Sequence, residues 1–272
     1  MRVRLFLIFG HIREFLETRA VGFWHRNAGP LDRVLHTALE DAVRGHLIAI
    51  NPVNHAKRPK VAKAPPKTLS DAEFPALLEK AKGGRLYAPI LTILATGVRR
   101  GELLALRWRN VNLDTGIALI VEAVEETKQG MRIKGVKTDS GNRRVDLPGF
   151  AIQALRDHQL TQKKEHLALG IGWSVDTLVF PCPLGGVQRP RNFTKSVTRL
   201  AKSAGIRFTP HLGRHDHFTR LLASGLHPKI AQIRAGHSSI SVTMNNYSHV
   251  TDGLQSQATE RMENAFGTLT KV

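Results

Sequence analysis

Cysteine is almost absent from this chain, and the absence removes two options at once. Cys182 is the only one, so no intrachain disulfide can form and no cysteine-based zinc site can be assembled. Long apolar runs are missing too: no stretch approaches the roughly 20 residues that cross a bilayer. The opening MRVRLFLIFG imitates a signal peptide only briefly. Its apolar run, Leu5 to Phe9, is short, and His11, Arg13 and Glu14 follow with no small-residue cleavage site. The expectation is a soluble protein of a reducing cytoplasm, with no membrane partner.

Acidic residues are the third shortage. The chain has 22 Asp and Glu against 40 Lys and Arg, a formal charge of +18 at pH 7 over 272 residues. Such an excess favours a polyanionic partner, through release of counterions from phosphates. Nucleic acid is the first candidate and an anionic membrane surface the second, but the basic amphipathic helix that a membrane surface would need is not found. Internal repeats and low-complexity tracts are lacking as well.

What is present divides into segments. Leu31, Val34, Leu35, Ala38, Leu39, Ala42 and Val43 recur at spacings of three and four, which predicts a helix ending near Gly45, after a loop-like Asn27-Ala28-Gly29-Pro30. Residues 51–67, NPVNHAKRPKVAKAPPK, hold four prolines, five basic residues and no acid. They read as an extended linker, with Lys57, Arg58, Lys60, Lys63 and Lys67 as a strap along phosphates. Ser70 and Glu73 form a capping box for a helix over 70–82, and a second helix runs from about Arg85 to Thr96. Gly97 then allows a break, and Arg99 starts a helix whose buried face is Leu103, Leu104 and Leu106. From Val111 to Leu147 alternating β-formers (Ile117, Leu119, Val121) and glycines predict one small antiparallel sheet, including a strand–turn–strand over 136–148. Helices are expected at about 149–168, 191–204, 211–224, 228–235, 239–247 and 253–267.

Residues 211–247, HLGRHDHFTRLLASGLHPKIAQIRAGHSSISVTMNNY, concentrate the candidate chemistry. Histidine exchanges a proton near neutral pH. Arginine presents a planar fork of donors that fits phosphate oxygens, and a tyrosine hydroxyl can be a covalent nucleophile. Taken singly, His211 and Arg214 also fit a solvated helix face, and Tyr247 a packing residue with a wet hydroxyl. His211 and His215 lie one helical turn apart, as zinc ligands can, but no HExxH pattern accompanies them.

Three boxes in order carry a family resemblance: TGVRRGELLALRW (96–108), VKTDSGNRRVDLP (136–148) and GHSSISVTMNNYSHV (236–250). Over roughly Leu31 to Val250 the chain resembles the tyrosine recombinases, the phage-integrase family of site-specific DNA recombinases. The resemblance implies a mainly α-helical catalytic domain with a small antiparallel β-sheet, the DNA breaking-rejoining fold, over 70–252. A partial helical core-binding segment (1–56) and a basic linker (57–69) would precede it, and a C-terminal helix or tail (253–272) would follow. It implies Tyr247 as nucleophile, Arg99 and Arg214 as phosphate clamps, Lys137 as proton donor to the leaving oxygen and His211 as acid/base partner. His237 would hydrogen-bond the phosphate, and Glu102 would brace the site. Neither cofactor nor metal is required. The partner is double-stranded DNA, held by a homo-tetramer in which the C-terminal helix docks on a neighbour, so the protein would be associated with the nucleoid.

Two departures from the family pattern shape the expectations. The second box, usually His-Asp-Leu-Arg-His-Thr, reads His211-Leu212-Gly213-Arg214-His215-Asp216 here, and Ala235 stands where leucine is usual before Gly-His. A helix-interior glycine costs about 1 kcal/mol against alanine, so packing beneath the catalytic groups is expected to loosen. Only Leu31 to about Pro59 resembles the family's N-terminal domain. The rival readings are therefore a truncated or degenerate, catalytically impaired DNA-binding remnant and an enzyme like the type IB topoisomerases.

Overall fold

The computed structural model describes residues 28–55, 68–127, 129–136 and 141–247. The linker cations Lys57, Arg58, Lys60, Lys63 and Lys67, together with Lys137, residues 1–27 and the expected helix over 253–267, lie outside the described residues. The chain forms two units, Met1–Pro65 and Pro66–Val272.

In the first unit, helix α1 spans Ala28–Arg44. It begins before Leu31, because Gly29-Pro30 enters the first turn, where a proline loses no hydrogen bond that the helix would have made. Its inward stripe is narrower than the periodicity suggested. Leu35, Leu39, Ala42 and Val43 are partly buried, whereas Ala38 is exposed and Val34 is 65% exposed. Residues Pro52–His55 form a single 3₁₀ turn rather than extended linker. The cause is Asn51: its Nδ2 donates to His36 O (3.1 Å) and Glu40 Oε2 (2.9 Å), and its Oδ1 accepts from Val53 N (3.1 Å). These bonds supply partners for groups that an extended chain would leave to water.

The second unit opens with the capping box. Ser70 N donates to Glu73 Oε2 (2.8 Å) and Glu73 N to Ser70 Oγ (3.1 Å), ahead of α2, Glu73–Ala81. Helix α3, Tyr87–Thr96, is buried on every side from Ala88 onward, its two threonines satisfied by the helix's own carbonyls. It packs against α7 (Pro210–Ala223) and α5 (Gly149–Ala168). Gly97 ends it in the left-handed conformation (φ 66°), where a side chain would be strained. A Cβ there would also lie 2.5 Å from His217 Cδ2 and 2.7 Å from Phe218 Cε2. Helix α4, Arg100–Ala105, follows at once, with Leu103 and Leu104 in the core.

The β-segment is two sheets, not one. β1 (Val111–Asn112), β2 (Ile117–Ile120) and β5 (Arg143–Asp146) form an antiparallel sheet in the order β1-β2-β5, and β3 (Glu122–Thr127) pairs only with β4 (Gly130–Gly135). Residues 136–148 thus supply β5, but its partner is β2, in the register Ala118↔Val145 and Ile120↔Arg143, rather than the strand preceding the turn. The inward phase of β2 is Ala118 and Ile120; Leu119 is 44% exposed. A period of two leaves the phase open until a neighbour fixes it. Helices α6 (Pro190–Ser203), α7, α8 (Pro228–Ala235) and α9 (Ile240–Tyr247) complete the order within one residue of expectation.

Gly213 does not leave a hole. A Cβ at that position would lie 2.7 Å from Phe208 Cζ and 3.0 Å from Ile93 Cγ2. The Phe208 ring, 1% exposed, fills the volume that the absent side chain vacates. The expected loosening at Gly213 is therefore corrected: the ring of Phe208, the residue before the Thr209 N-cap, supplies the bulk that the helix lacks there. Asp216, at the last of the three positions that depart from the usual box, is buried and clamps the entry of the chain. Its Oδ1 accepts from Leu69 N (3.0 Å), its Oδ2 from Arg220 Nε (2.9 Å), and Arg220 Nη2 donates to Leu69 O (2.7 Å).

Candidate active site

Three backbone features aim the site's side chains. Thr209 caps α7, its hydroxyl accepting from Leu212 N (3.1 Å), with Pro210 at the first helical position. This sets His211 in the exposed first turn and Arg214 on the buried side of the same helix. Arg99 is the N-cap of α4, and its backbone N–H donates to Glu102 Oε2 (2.8 Å). Gly236, left-handed at φ 61°, ends α8 and turns the chain so that His237 follows.

Arg99, His211, Arg214 and His237 line one cleft of about 600 Å³, with Arg100 and Thr194. Arg214 is fixed by carbonyls: Nη1 donates to Gly97 O and Nη2 to Ala235 O (2.8 Å), with His237 Nε2 at 3.1 Å from Nη2. Arg99 Nη1 donates to Glu102 Oε1 (2.8 Å) and Nη2 to Gly236 O (2.8 Å). Arg100 Nη1 donates to Thr194 Oγ1 (2.7 Å). Glu102, which holds Arg99, is buried behind the cleft, and among the described residues the lining carries no carboxylate, so the cleft presents guanidinium groups and two imidazoles. That is a site for an anion with several oxygens.

Glu102 braces more than Arg99. Arg143, itself only 7% exposed, donates from Nη1 (3.1 Å) and Nη2 (2.7 Å) to the two carboxylate oxygens. Arg143 Nε reaches Arg234 O (2.8 Å) at the end of α8. Burial pushes the Glu102 carboxyl up, but the hydrogen bonds and charge of Arg143, with those of Arg99, outweigh it and hold the group below the ordinary glutamate value. Sequence reasoning missed Arg143. The signal was present in β5: if Val145 faces inward, the period of two puts Arg143 on the same face and Arg144 outside.

His237 is neutral at pH 7, because burial and then the charges of Arg214, Arg99 and Arg143 push its pKa down to about 4. His237 Nδ1 lies 2.9 Å from Thr243 Oγ1 on α9. His217 belongs to the scaffold, buried between Leu94 O (2.9 Å from Nδ1) and Arg234 Nε (3.1 Å from Nε2). Among the described residues no group of three or more His, Cys, Asp or Glu is placed to hold a metal ion, and no helix is long and apolar enough to cross a membrane. Tyr247 closes α9, and of that residue the structure describes the backbone.

Comparison with known proteins bears on the family and the fold. The phage integrase family model matches residues 67–253. A XerC-like tyrosine recombinase of Caldanaerobacter subterraneus is 30% identical over 213 residues, covering 74% of this chain and 54% of the relative. Tyrosine recombinase XerD of Pseudomonas putida is 31% identical over 215 residues, covering 76% and 65%. The transposase of transposon Tn916 from Enterococcus faecalis is 28% identical over 200 residues, covering 68% and 49%. The chain therefore spans about half to two thirds of the length of these relatives. Among solved structures, the Tn1549 transposon integrase in complex with transposon right-end DNA superposes with a TM-score of 0.77 at 23% identity, covering 94% of this chain and 85% of that one. A lambda integrase dimer bound to a core site gives a TM-score of 0.59 at 18% identity, covering 88% and 64%. These two likenesses establish a common fold. On the family match, the sequence relatives and that fold, the chain belongs to the phage integrase family, the tyrosine recombinases.

Proposed function

We propose that this protein is a site-specific recombinase that cuts and rejoins double-stranded DNA through a 3′-phosphotyrosine, in the integration or excision of a mobile element. The observation that carries the reading is the convergence of Arg99, His211, Arg214 and His237, from three separate segments, on one cationic cleft.

Tyr247 Oη attacks the scissile phosphorus, and the bond from phosphorus to the 5′-oxygen breaks. His211 takes the phenolic proton, and Lys137 gives one to the departing 5′-oxygen. Arg99 and Arg214 hold the non-bridging oxygens and offset the charge that grows on them, a contribution of about 10²–10³ in rate per donor by analogy with oxyanion holes. His237 adds a hydrogen bond to the same phosphate. Rejoining reverses these steps, with the 5′-hydroxyl of a new strand as nucleophile. The bond energy stays in the phosphotyrosine, so ATP is not consumed. In this reading residues 70–252 are the catalytic domain, the Lys57–Lys67 cations run along phosphates, and residues 253–267 dock on a neighbour in a tetramer at the nucleoid.

The test is covalent trapping on nicked duplexes drawn from the flanks of the gene, designed so that the cut strand diffuses away. The chain has two tyrosines, Tyr87 and Tyr247, so the modified peptide is assigned without ambiguity. An adduct on Tyr247 that vanishes in Tyr247→Phe is the expected result. Salt-sensitive binding with no adduct, on DNA that a full-length relative cleaves, would refute the catalytic reading in favour of a DNA-binding remnant. Relaxation of plasmid without joining of two sites would favour a topoisomerase.

A further inference from the structure

The helix that ends in Tyr247 is tied to the cleft by two hydrogen bonds of defined polarity. Arginine has donors only, so the 3.1 Å contact between Arg214 Nη2 and His237 Nε2 makes that ring nitrogen the acceptor. The ring is neutral and carries one proton, which therefore sits on Nδ1 and is donated to Thr243 Oγ1 at 2.9 Å. Thr243 is 0% exposed. It lies four residues before Tyr247 on α9, about one helical turn.

This tautomer is the opposite of the one the proposed reaction uses. To hydrogen-bond a phosphate oxygen, His237 must carry its proton on Nε2, which leaves Nδ1 bare. A hydroxyl can accept in the first state and donate in the second. An apolar side chain of the same shape could do neither, and would be the cheaper occupant of a fully buried position.

We propose that Thr243 is a positioning residue for strand cleavage, whose hydroxyl holds the His237 ring in both tautomers and fastens the Tyr247 helix to the Arg214 side of the cleft. The inference rests on the reading of Tyr247 as nucleophile. When a phosphate takes up Arg214 Nη2, His237 loses the proton at Nδ1 and gains one at Nε2 through solvent. The Thr243 O–H rotates from acceptor to donor, with no net change in protons. The ring stays in place throughout, because one of its nitrogens is always bonded to α9.

The test combines Thr243→Val and Thr243→Ser in the full chain with two readouts. One is the rate of covalent adduct formation on the nicked duplex. The other is the ¹⁵N signature of His237, which distinguishes a protonated from a bare ring nitrogen. We expect protonation at Nδ1 in the free protein, and at Nε2 in Tyr247→Phe bound to DNA. Thr243→Val should bind DNA with wild-type affinity but form adduct about 10- to 100-fold more slowly, as a small misplacement of reacting groups does. Thr243→Ser should restore most of the rate. Equal slowing in both variants would show a packing role and overturn the proposal, as would a wild-type rate in Thr243→Val or a free protein protonated at Nε2. If the wild type forms no adduct, the nucleophile reading fails by itself, and the tautomer readout still decides the rest: a ring that keeps its Nδ1 proton in Tyr247→Phe bound to DNA would sink it. Should Thr243→Val fail to fold, the tautomers of the free and DNA-bound protein with Thr243 intact decide the matter, and a ring that keeps its Nδ1 proton on DNA overturns the proposal.

Discussion

Gly213→Ala is the substitution on which sequence and structure disagree most sharply. On helix propensity alone, alanine for a helix-interior glycine stabilises by about 1 kcal/mol. The structure gives the opposite sign. The new Cβ would sit 2.7 Å from Phe208 Cζ and 3.0 Å from both Phe208 Cε2 and Ile93 Cγ2. Both neighbours are fully buried in the same core, so neither has solvent to move into. Overpacking of a tight core costs about 1–3 kcal/mol, which exceeds the propensity gain over most of that range. The expected net is a destabilisation of about 1 kcal/mol for Gly213→Ala, and more for Gly213→Leu, although leucine is the usual residue of the box. Phe208→Leu should cost stability alone yet rescue Gly213→Ala, with a coupling of about 0.5–3 kcal/mol between the two. Urea unfolding measures this as a shift of midpoint at constant slope. A Gly213→Ala protein more stable than wild type by the full propensity value, or additivity with Phe208→Leu, would refute the reasoning.

Two further predictions concern charge. Glu102→Gln leaves the buried Arg143 guanidinium without its bidentate partner and should cost about 3–5 kcal/mol; a loss under about 1 kcal/mol by denaturant midpoint would show that the guanidinium is solvated in some other way. The pKa of His217 is lowered to about 4, first by burial and then by the charge of Arg234, against the hydrogen bond to Leu94 O. The unfolded chain thus binds this proton before the folded one does. The contribution is fully present above about pH 6.5 and lost as pH falls from there to about 4, on the order of 3 kcal/mol in all. His217→Asn should flatten that part of the stability profile, and an unchanged slope in the variant would assign it to other groups.

Elements whose signal is local were legible in the residues alone. The Ser70–Glu73 box, the break at Gly97, and helices α5 and α8 each announce themselves within a few residues through caps, glycines and period. The site was legible only as residue types in an order. What the sequence hid depends on distant partners. Arg143 and Arg144 are adjacent and identical, and only the pairing of β5 with β2 decides which one is buried beside Glu102. Phe208 compensates for Gly213 across a helix start, so the loss at one position was readable and the gain at the other was not. The division of the strands into two sheets turns on pairing rather than propensity, and the alternation in β2 leaves its inward phase open for the same reason.

The Leu69 clamp has a kinetic consequence. Its hydrogen bond to Asp216 joins residues 147 apart in the chain, and that from Arg99 to Gly236 O joins residues 137 apart. Contacts of such separation cost loop-closure entropy before they return any stability, which slows folding. The second of these closures sets Arg99 in the cleft, so a nascent chain emerging from the ribosome holds no assembled anion-binding cleft until residue 236 has found Arg99. By then most of the second unit has been made, so the anion-binding cleft arises from long-range closure rather than as a property of any one segment.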